Sequence, residues 1–351
     1  MDQSECGHDA PVSRRVPVAV MRALVTGCAG FIGSHLTESL LDSRADVVGI
    51  DCFNGNYGRS QKLRNLERAR SWDNFDFVPI DLARGDLHEY VAECDVIFHL
   101  AAEPGVRASW GDRFETYVRN NVLATQHLLD AAKAYPEKRF VYSSSSSIYG
   151  EAETFPTSED LTPRPMSPYG VTKLTAEHLC LTYHANFGVD AVALRFFSVY
   201  GPRQRPDMAF SIFCSAAIKR DPIEVFGDGT QARDFTHVSD IITAARSAAT
   251  VSGVAGNVYN IGGGGQITLN EGIALIEEIS GRPLDVRRVE REHGDVRATC
   301  ADTERARTDL DFKVGVPFSE GVRGQFEWIL AESERIADGS PHEPGRLSVP
   351  S

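Results

Sequence analysis

The chain has 351 residues, of which 42% are hydrophobic and 24% charged, and its formal net charge is -13. That balance is ordinary for a folded protein, and the length is enough for one large or two closely associated domains. The negative charge disfavours nucleic acid or an anionic membrane as partner, since phosphate-rich surfaces are bound by basic proteins; an anionic small ligand would need a local cluster of arginines and backbone N–H groups.

Residues 1–20 carry charges, prolines and a glycine before any apolar run and are expected to be a mobile tail rather than a secretory signal, with Met21 or Arg22 opening the fold. No later stretch approaches the roughly 20 uninterrupted apolar residues of a membrane span. From Arg22 to about Phe197 short apolar runs alternate with longer amphipathic ones, the pattern of a parallel sheet with crossover helices. The runs Ala23–Val25, Val47–Ile50, Phe77–Val78, Val96–Phe98 and Phe140–Tyr142 read as buried strands. The fold class expected is α/β: a Rossmann-like doubly wound parallel sheet over 21–200, with a return to it at about 236–262. A smaller mixed α/β substrate domain is expected over 201–235 and 263–332, and a disordered tail over 337–351. Seven cysteines without any CxxC pair fit free thiols in a reducing cytoplasm and suggest no metal site.

The segment Thr26-Gly27-Cys28-Ala29-Gly30-Phe31-Ile32-Gly33 follows the first strand and opens a helix. A turn bare of side chains lets a pyrophosphate approach the backbone, and the helix end supplies unpaired N–H groups. Asp51 follows 18 residues after Gly33, at the end of the second strand, where it can accept hydrogen bonds from an adenine ribose and repel a 2′-phosphate. NAD is therefore the expected cofactor, with Asn54 beside Asp51. Later strand ends add Asp81 and Leu82, then Leu100, Ala101 and Ala102, whose small side chains permit close approach. The later run Gly262–Gly265 lacks the lysine of a phosphate-binding P-loop and reads as a mobile turn.

Tyr169 and Lys173 stand four apart on a helix, hence on one face. A tyrosine with a pKa of about 10 is a poor base near neutrality unless positive charge stabilises its phenolate, which Lys173 and an oxidised nicotinamide ring can both supply. Five consecutive serines, Ser143 to Ser147, follow the fifth strand and are placed to hold a substrate oxygen that loses its proton.

These residues together resemble the extended short-chain dehydrogenase/reductase family, and within it the nucleotide-sugar 4-epimerases. The resemblance runs from Arg22 to about Leu330 and rests on TGCAGFIGSH, HLAA, SSSSSIYG, YGVTK, LRFFSVYGPRQRPDMAF and GDGTQARDFTHVSD. It implies Ser145, Tyr169 and Lys173 as catalytic residues and Asn121 as a cofactor contact. For a nucleotide-linked sugar it implies Arg107, Ala209, Phe210, Glu224 beside the base, Phe226 packed on it, Arg233 at the diphosphate, and Asp295 in a later diphosphate and ribose pattern. A homodimer formed through the helix carrying Tyr169 is also implied.

Dehydratases of the family resemble one another in carrying Asp-Glu after the catalytic Ser/Thr, and a decarboxylating branch carries Glu two positions after it. Here those positions are Ser146 and Ser147. The GPRQRPDMA segment resembles UDP-glucuronate 4-epimerases, with Arg205, Ser146, Ser147 and Ser198 expected at the sugar carboxylate. Arg203 is an alternative to Arg205, and Asp207 or another surface acid is an alternative partner for Arg205. A UDP-glucose or UDP-N-acetylglucosamine 4-epimerase, or a non-catalytic NAD-binding sensor on the same fold, are the competing readings.

Overall fold

A computed structural model describes residues 20–54, 57–263, 265–290 and 296–338. In chain order the strands are β1 (Arg22–Thr26), β2 (Asp46–Ile50), β3 (Phe75–Val78), β4 (Val96–His99), β5 (Arg139–Ser145), β6 (Asp190–Phe196), β7 (Ser198–Tyr200), β8 (Ile223–Phe226), β9 (Ala232–Arg233), β10 (Phe235–His237), β11 (Val258–Ile261), β12 (Ile267–Thr268) and β13 (Val286–Val289). The helices are α1 (Phe31–Asp42), α2 (Arg59–Asn65), α3 (His88–Glu93), α4 (Phe114–Tyr117), α5 (Ala124–Ala132), α6 (Pro168–Phe187), α7 (Ala209–Lys219), α8 (Val238–Thr250), α9 (Leu269–Ser280), α10 (Glu304–Leu310) and α11 (Phe318–Ala337).

Seven strands pair in the order β11-β6-β5-β4-β1-β2-β3, every pair parallel. Their apolar runs are buried because helices cover both faces, as a parallel sheet requires. Leu36 and Leu40 of α1 and Ile241 and Ala245 of α8 pack on one face. Leu128 and Leu129 of α5 and Ala176 and Cys180 of α6 pack on the other. The order reverses between β1 and β4, so the crevice at their carboxyl ends is where such a sheet binds ligands.

Two strands differ from the sequence expectation. β3 begins at Phe75, and β5 continues through Ser143–Ser145, whose backbone pairs with Leu194–Phe196 of β6. Ladder hydrogen bonds are made by the backbone, so the serines extend the strand despite their polarity. Only Ser146 and Ser147 lie beyond it, in a 3₁₀ turn.

The second core gathers Phe210 and Phe213 of α7, Ile273 and Ile276 of α9 and Val322 and Ile329 of α11 around Tyr200. Beside it β8 pairs in parallel with β13. The stretch 304–312 departs from its expected place in this region: Ala306, Leu310 and Phe312 are buried in the core of the seven-stranded sheet. Among the described residues no helix is long and apolar enough to cross a membrane.

Candidate active site

A cleft of about 470 Å³ runs over the carboxyl edge of the sheet, from the glycine-rich turn past the serines to the second region. At one end the turn is crowded into shape. A Cβ on Gly33 would stand 2.1 Å from the Gly27 carbonyl oxygen, and one on Gly27, at φ +74°, 2.8 Å from the Ala101 nitrogen. Only glycine fits both positions. Gly30 is the N-terminal flank of α1 and makes no side-chain cap, so the first N–H groups of α1 face the cleft beside Gly27, Phe31, Ile32 and Gly33. Asp51, buried at the end of β2, accepts from the Phe53 amide at 2.7 Å and the Ala29 amide at 3.3 Å. Asn54, Asp81, Leu82, Leu100, Ala101 and Ala102 complete this wall. A bare turn at a helix N-terminus with a buried carboxylate at the next strand end fits a dinucleotide.

Asn121 does not line the cleft. Its side chain accepts from the Glu103 amide at 2.6 Å and donates to Thr172 Oγ1 at 3.0 Å, tying the loop after β4 to α6, while Asn120 faces the cleft. A π-helical turn at Val118–Leu123 rotates this register, which a sequence motif does not reveal.

Ser145, the last residue of β5, accepts from the Ser147 amide at 3.2 Å and so orders the turn. Ser167 caps α6 by accepting from the Gly170 amide, with Pro168 at the first helical position, which sets Tyr169 in the first turn facing Ser145. Burial pushes the Tyr169 phenol up, against the hydrogen bond with Ser145 and the positive field of Arg205, which pull it down. The downward shift expected from Lys173 is absent. The buried Lys173 ammonium is itself lowered to about 7 by desolvation, donates to the Ser143 carbonyl, and lies 4.4 Å from the centre of the Tyr142 ring.

On the substrate side Ser146, Ser147, Ser198, Arg205 and Arg233 line the cleft. Arg205 grips Asp207 with Nε–Oδ1 2.9 Å and Nη2–Oδ2 2.6 Å, the alternative partner that the sequence offered. Arg203 points elsewhere: its Nη2 donates to Glu38 on α1 at 2.8 Å. Several expected contacts stand back from the cleft. Phe210 is fully buried among Tyr200, Phe235 and Phe318, because the inward face of α7 is the core of the second region; Ala209 also lies off the wall, and Met208 takes its place. Arg107 lies over the Phe226 ring at 4.0 Å, and Glu224 is exposed on the same face of β8 as Phe226; none of the three lines the cleft. Asp295 lies outside the described residues.

Other residues of the site received no role from the sequence motifs. Lys62 of α2 pairs with Asp51 at 3.2 Å. Beneath the serines, Ser144 Oγ donates to Glu177 at 2.6 Å, and Glu177 holds Arg195 through contacts of 3.0 and 2.7 Å. His99, lowered to about 3 by burial first and then by Lys173, bridges the hydroxyls of Thr26 and Thr125 at 2.8 and 2.9 Å as a neutral ring. Glu177 lies four residues after Lys173, and His99, Ser144 and Arg195 stand within the HLAA, SSSSSIYG and LRFF segments, so the chain carried a signal for them; Lys62 depends on tertiary contact alone. Among the described residues no cluster of His, Cys, Asp or Glu is arranged to hold a metal ion.

A glycine turn for a dinucleotide and a Ser-Tyr-Lys set at the end of the same sheet define an enzyme built for hydride transfer. The chain belongs to the NAD dependent epimerase/dehydratase family, whose profile matches residues 23–262, and NAD is its cofactor. It is 42% identical over 310 residues to the uncharacterized UDP-glucose epimerase YtcB of Bacillus subtilis, covering 88% of this chain and 98% of that protein. It is 36% identical over 318 residues to a UDP-glucuronate 4-epimerase of Thermodesulfobacterium geofontis, covering 89% and 97%. Among solved structures it matches the UDP-glucuronic acid 4-epimerase of Bacillus cereus in complex with UDP-glucuronic acid and NAD, with 43% identity and a TM-score of 0.87 over 89% of this chain and 100% of that one.

Proposed function

We propose that the protein is a UDP-sugar 4-epimerase that interconverts UDP-glucuronate and UDP-galacturonate through a transient 4-keto sugar, keeping the carboxylate. When bound, NAD supplies the acceptor and then the donor of the C4 hydride. In this reading Tyr169 takes the C4 hydroxyl proton and later returns it, and Ser145 holds that oxygen. Lys173 holds the Ser143 carbonyl within β5 and so orders the strand that carries Ser145. The positions after Ser145 are Ser146 and Ser147, so no carboxylate stands there to drive elimination or decarboxylation.

The observation that carries the choice of sugar is Arg205, a guanidinium on the cleft wall close enough to Tyr169 to offset part of the rise that burial imposes on the phenol. A planar fork matches a carboxylate with two charge-assisted hydrogen bonds, and Ser146, Ser147 and Ser198 add donors on the same wall. A 4-keto glucuronate is a β-keto acid. Arg205 and the serines hold the carboxylate so that the C5–C6 bond stays out of line with the ketone π system. An Arg205→Ala enzyme is expected to release more UDP-pentose per turnover than the parent, read by chromatography of the products. Loss of substrate affinity without added pentose would remove this role. The Arg205–Asp207 pair favours the second reading, a neutral UDP-sugar epimerase, and competition between UDP-glucuronate and UDP-glucose separates the two.

The enzyme is further proposed to be a cytoplasmic homodimer paired through α6. Val171 and Phe187 of that helix, with Phe114 of α4 nearby in the fold, are exposed apolar side chains that support it.

A further inference from the structure

Asp51 does not stand alone at the adenosine end of the cleft. Lys62, on the inward face of α2, is nearly buried with it: their side chains are 11% and 6% exposed. The ammonium donates to Asp51 Oδ1 at 3.2 Å and to the Asn54 carbonyl at 2.8 Å, which accounts for two of its three donors among the described residues. Asn65, one turn further along α2, donates to the Ala29 carbonyl at 3.0 Å and locks the helix against the glycine turn. The Tyr57 ring lies 5.7 Å from the ammonium, and Arg59 of the same helix stacks on Phe53 at 5.0 Å. Asp51, Asn54, Tyr57 and Lys62 all line the cleft.

We propose that Lys62 is a further determinant of cofactor choice, a cation masked by Asp51 that would bind a 2′-phosphorylated dinucleotide if the mask were removed. The inference rests on Asp51 standing at the adenine ribose. A lone carboxylate there would reject a phosphate by repulsion, but an ion pair is close to neutral and repels less. Rejection then depends on the lysine being already satisfied. With its carboxylate partner gone, a nearly buried ammonium is left short of an anion, and the phosphate restores one. Lys62 also holds Oδ1 of Asp51 while the Ala29 amide holds Oδ2, so its loss should loosen the hold on the unphosphorylated ribose as well.

The test uses the full chain as wild type, Asp51→Asn, Lys62→Gln and the double variant. Each is equilibrated with mixtures of NAD and NADP and desalted, and the protein-bound nucleotides are released and separated by anion exchange. Asp51→Asn is expected to shift the bound ratio toward NADP by about tenfold or more. Lys62→Gln alone should shift it toward NAD, and the double variant should lose the gain of Asp51→Asn. The proposal is overturned if Asp51→Asn weakens NAD without gaining NADP, or if the double variant gains as much as the single one. If Asp51→Asn leaves both nucleotides bound as before, the proposal falls together with the placement of Asp51 at the ribose. A thermal melt of each variant, showing transitions within a few degrees of one another, ties the result to binding rather than to unfolding.

Discussion

Arg205 and Asp207 form a two-pronged ion pair on the wall of the cleft, two residues apart in the chain and joined at 2.9 and 2.6 Å. A sugar carboxylate binding to Arg205 has to compete with this internal one. The Asp207 side chain is 46% exposed, so the competition is screened by water and modest. Asp207→Asn is expected to lower KM for UDP-glucuronate a few fold while leaving KM for UDP-glucose unchanged, as initial-rate kinetics would show.

Lys173 makes the fold pH-dependent. Its ordinary value of 10.5 falls to about 7 in the native protein, so between these values the unfolded chain holds a proton that the native one has released. Native stability due to this group therefore rises with pH across that window, and the penalty is complete below pH 7. Lys173→Met should melt higher than wild type near neutrality, with the difference shrinking toward pH 10. Calorimetry across the alkaline range checks the sign.

The buried pair Glu177–Arg195 ties α6 to β6 and reaches Ser144, the neighbour of Ser145. Glu177→Gln should destabilise by about 3–5 kcal/mol, because it leaves Arg195 buried without its counter-charge. Glu177→Met with Arg195→Met should recover most of that loss. Urea unfolding of the three proteins gives the comparison.

Phe210 separates packing from binding. Phe210→Ala is expected to cost about 3–5 kcal/mol, the range for a large core aromatic, with KM for the sugar nucleotide unchanged. A raised KM at unchanged stability would return this ring to the substrate site.

Gly33→Ala should abolish cofactor retention, since the added carbon would stand 2.1 Å from the Gly27 oxygen at the mouth of the turn. Absorbance of nucleotide co-purifying with the protein measures it.

Much of this was legible in the chain because strand ends in an open parallel sheet converge on one edge. Gly27, Gly30, Gly33, Asp51, Ala101, Ser145 and Tyr169 could be read as one site from their order along the sequence, and all line one cleft. Phe210 and Asn121 could not, because a motif gives a residue's position but not the direction it faces. One looks into a core, and the other is turned away from the cleft within a π-helical turn. Lys62 and Arg195 escaped because their partners lie 11 and 18 residues away and meet them only once helix and sheet have packed. Asp207 was readable as a rival for Arg205 because it lies two residues on, within reach of the same loop.

The purified protein, incubated with UDP-glucuronate without added NAD and with the sugar followed by chromatography and NMR, is expected to form UDP-galacturonate without net formation of reduced cofactor. No conversion even with NAD supplied, alongside turnover of UDP-glucose, would contradict the proposed function and leave Arg205 to Asp207.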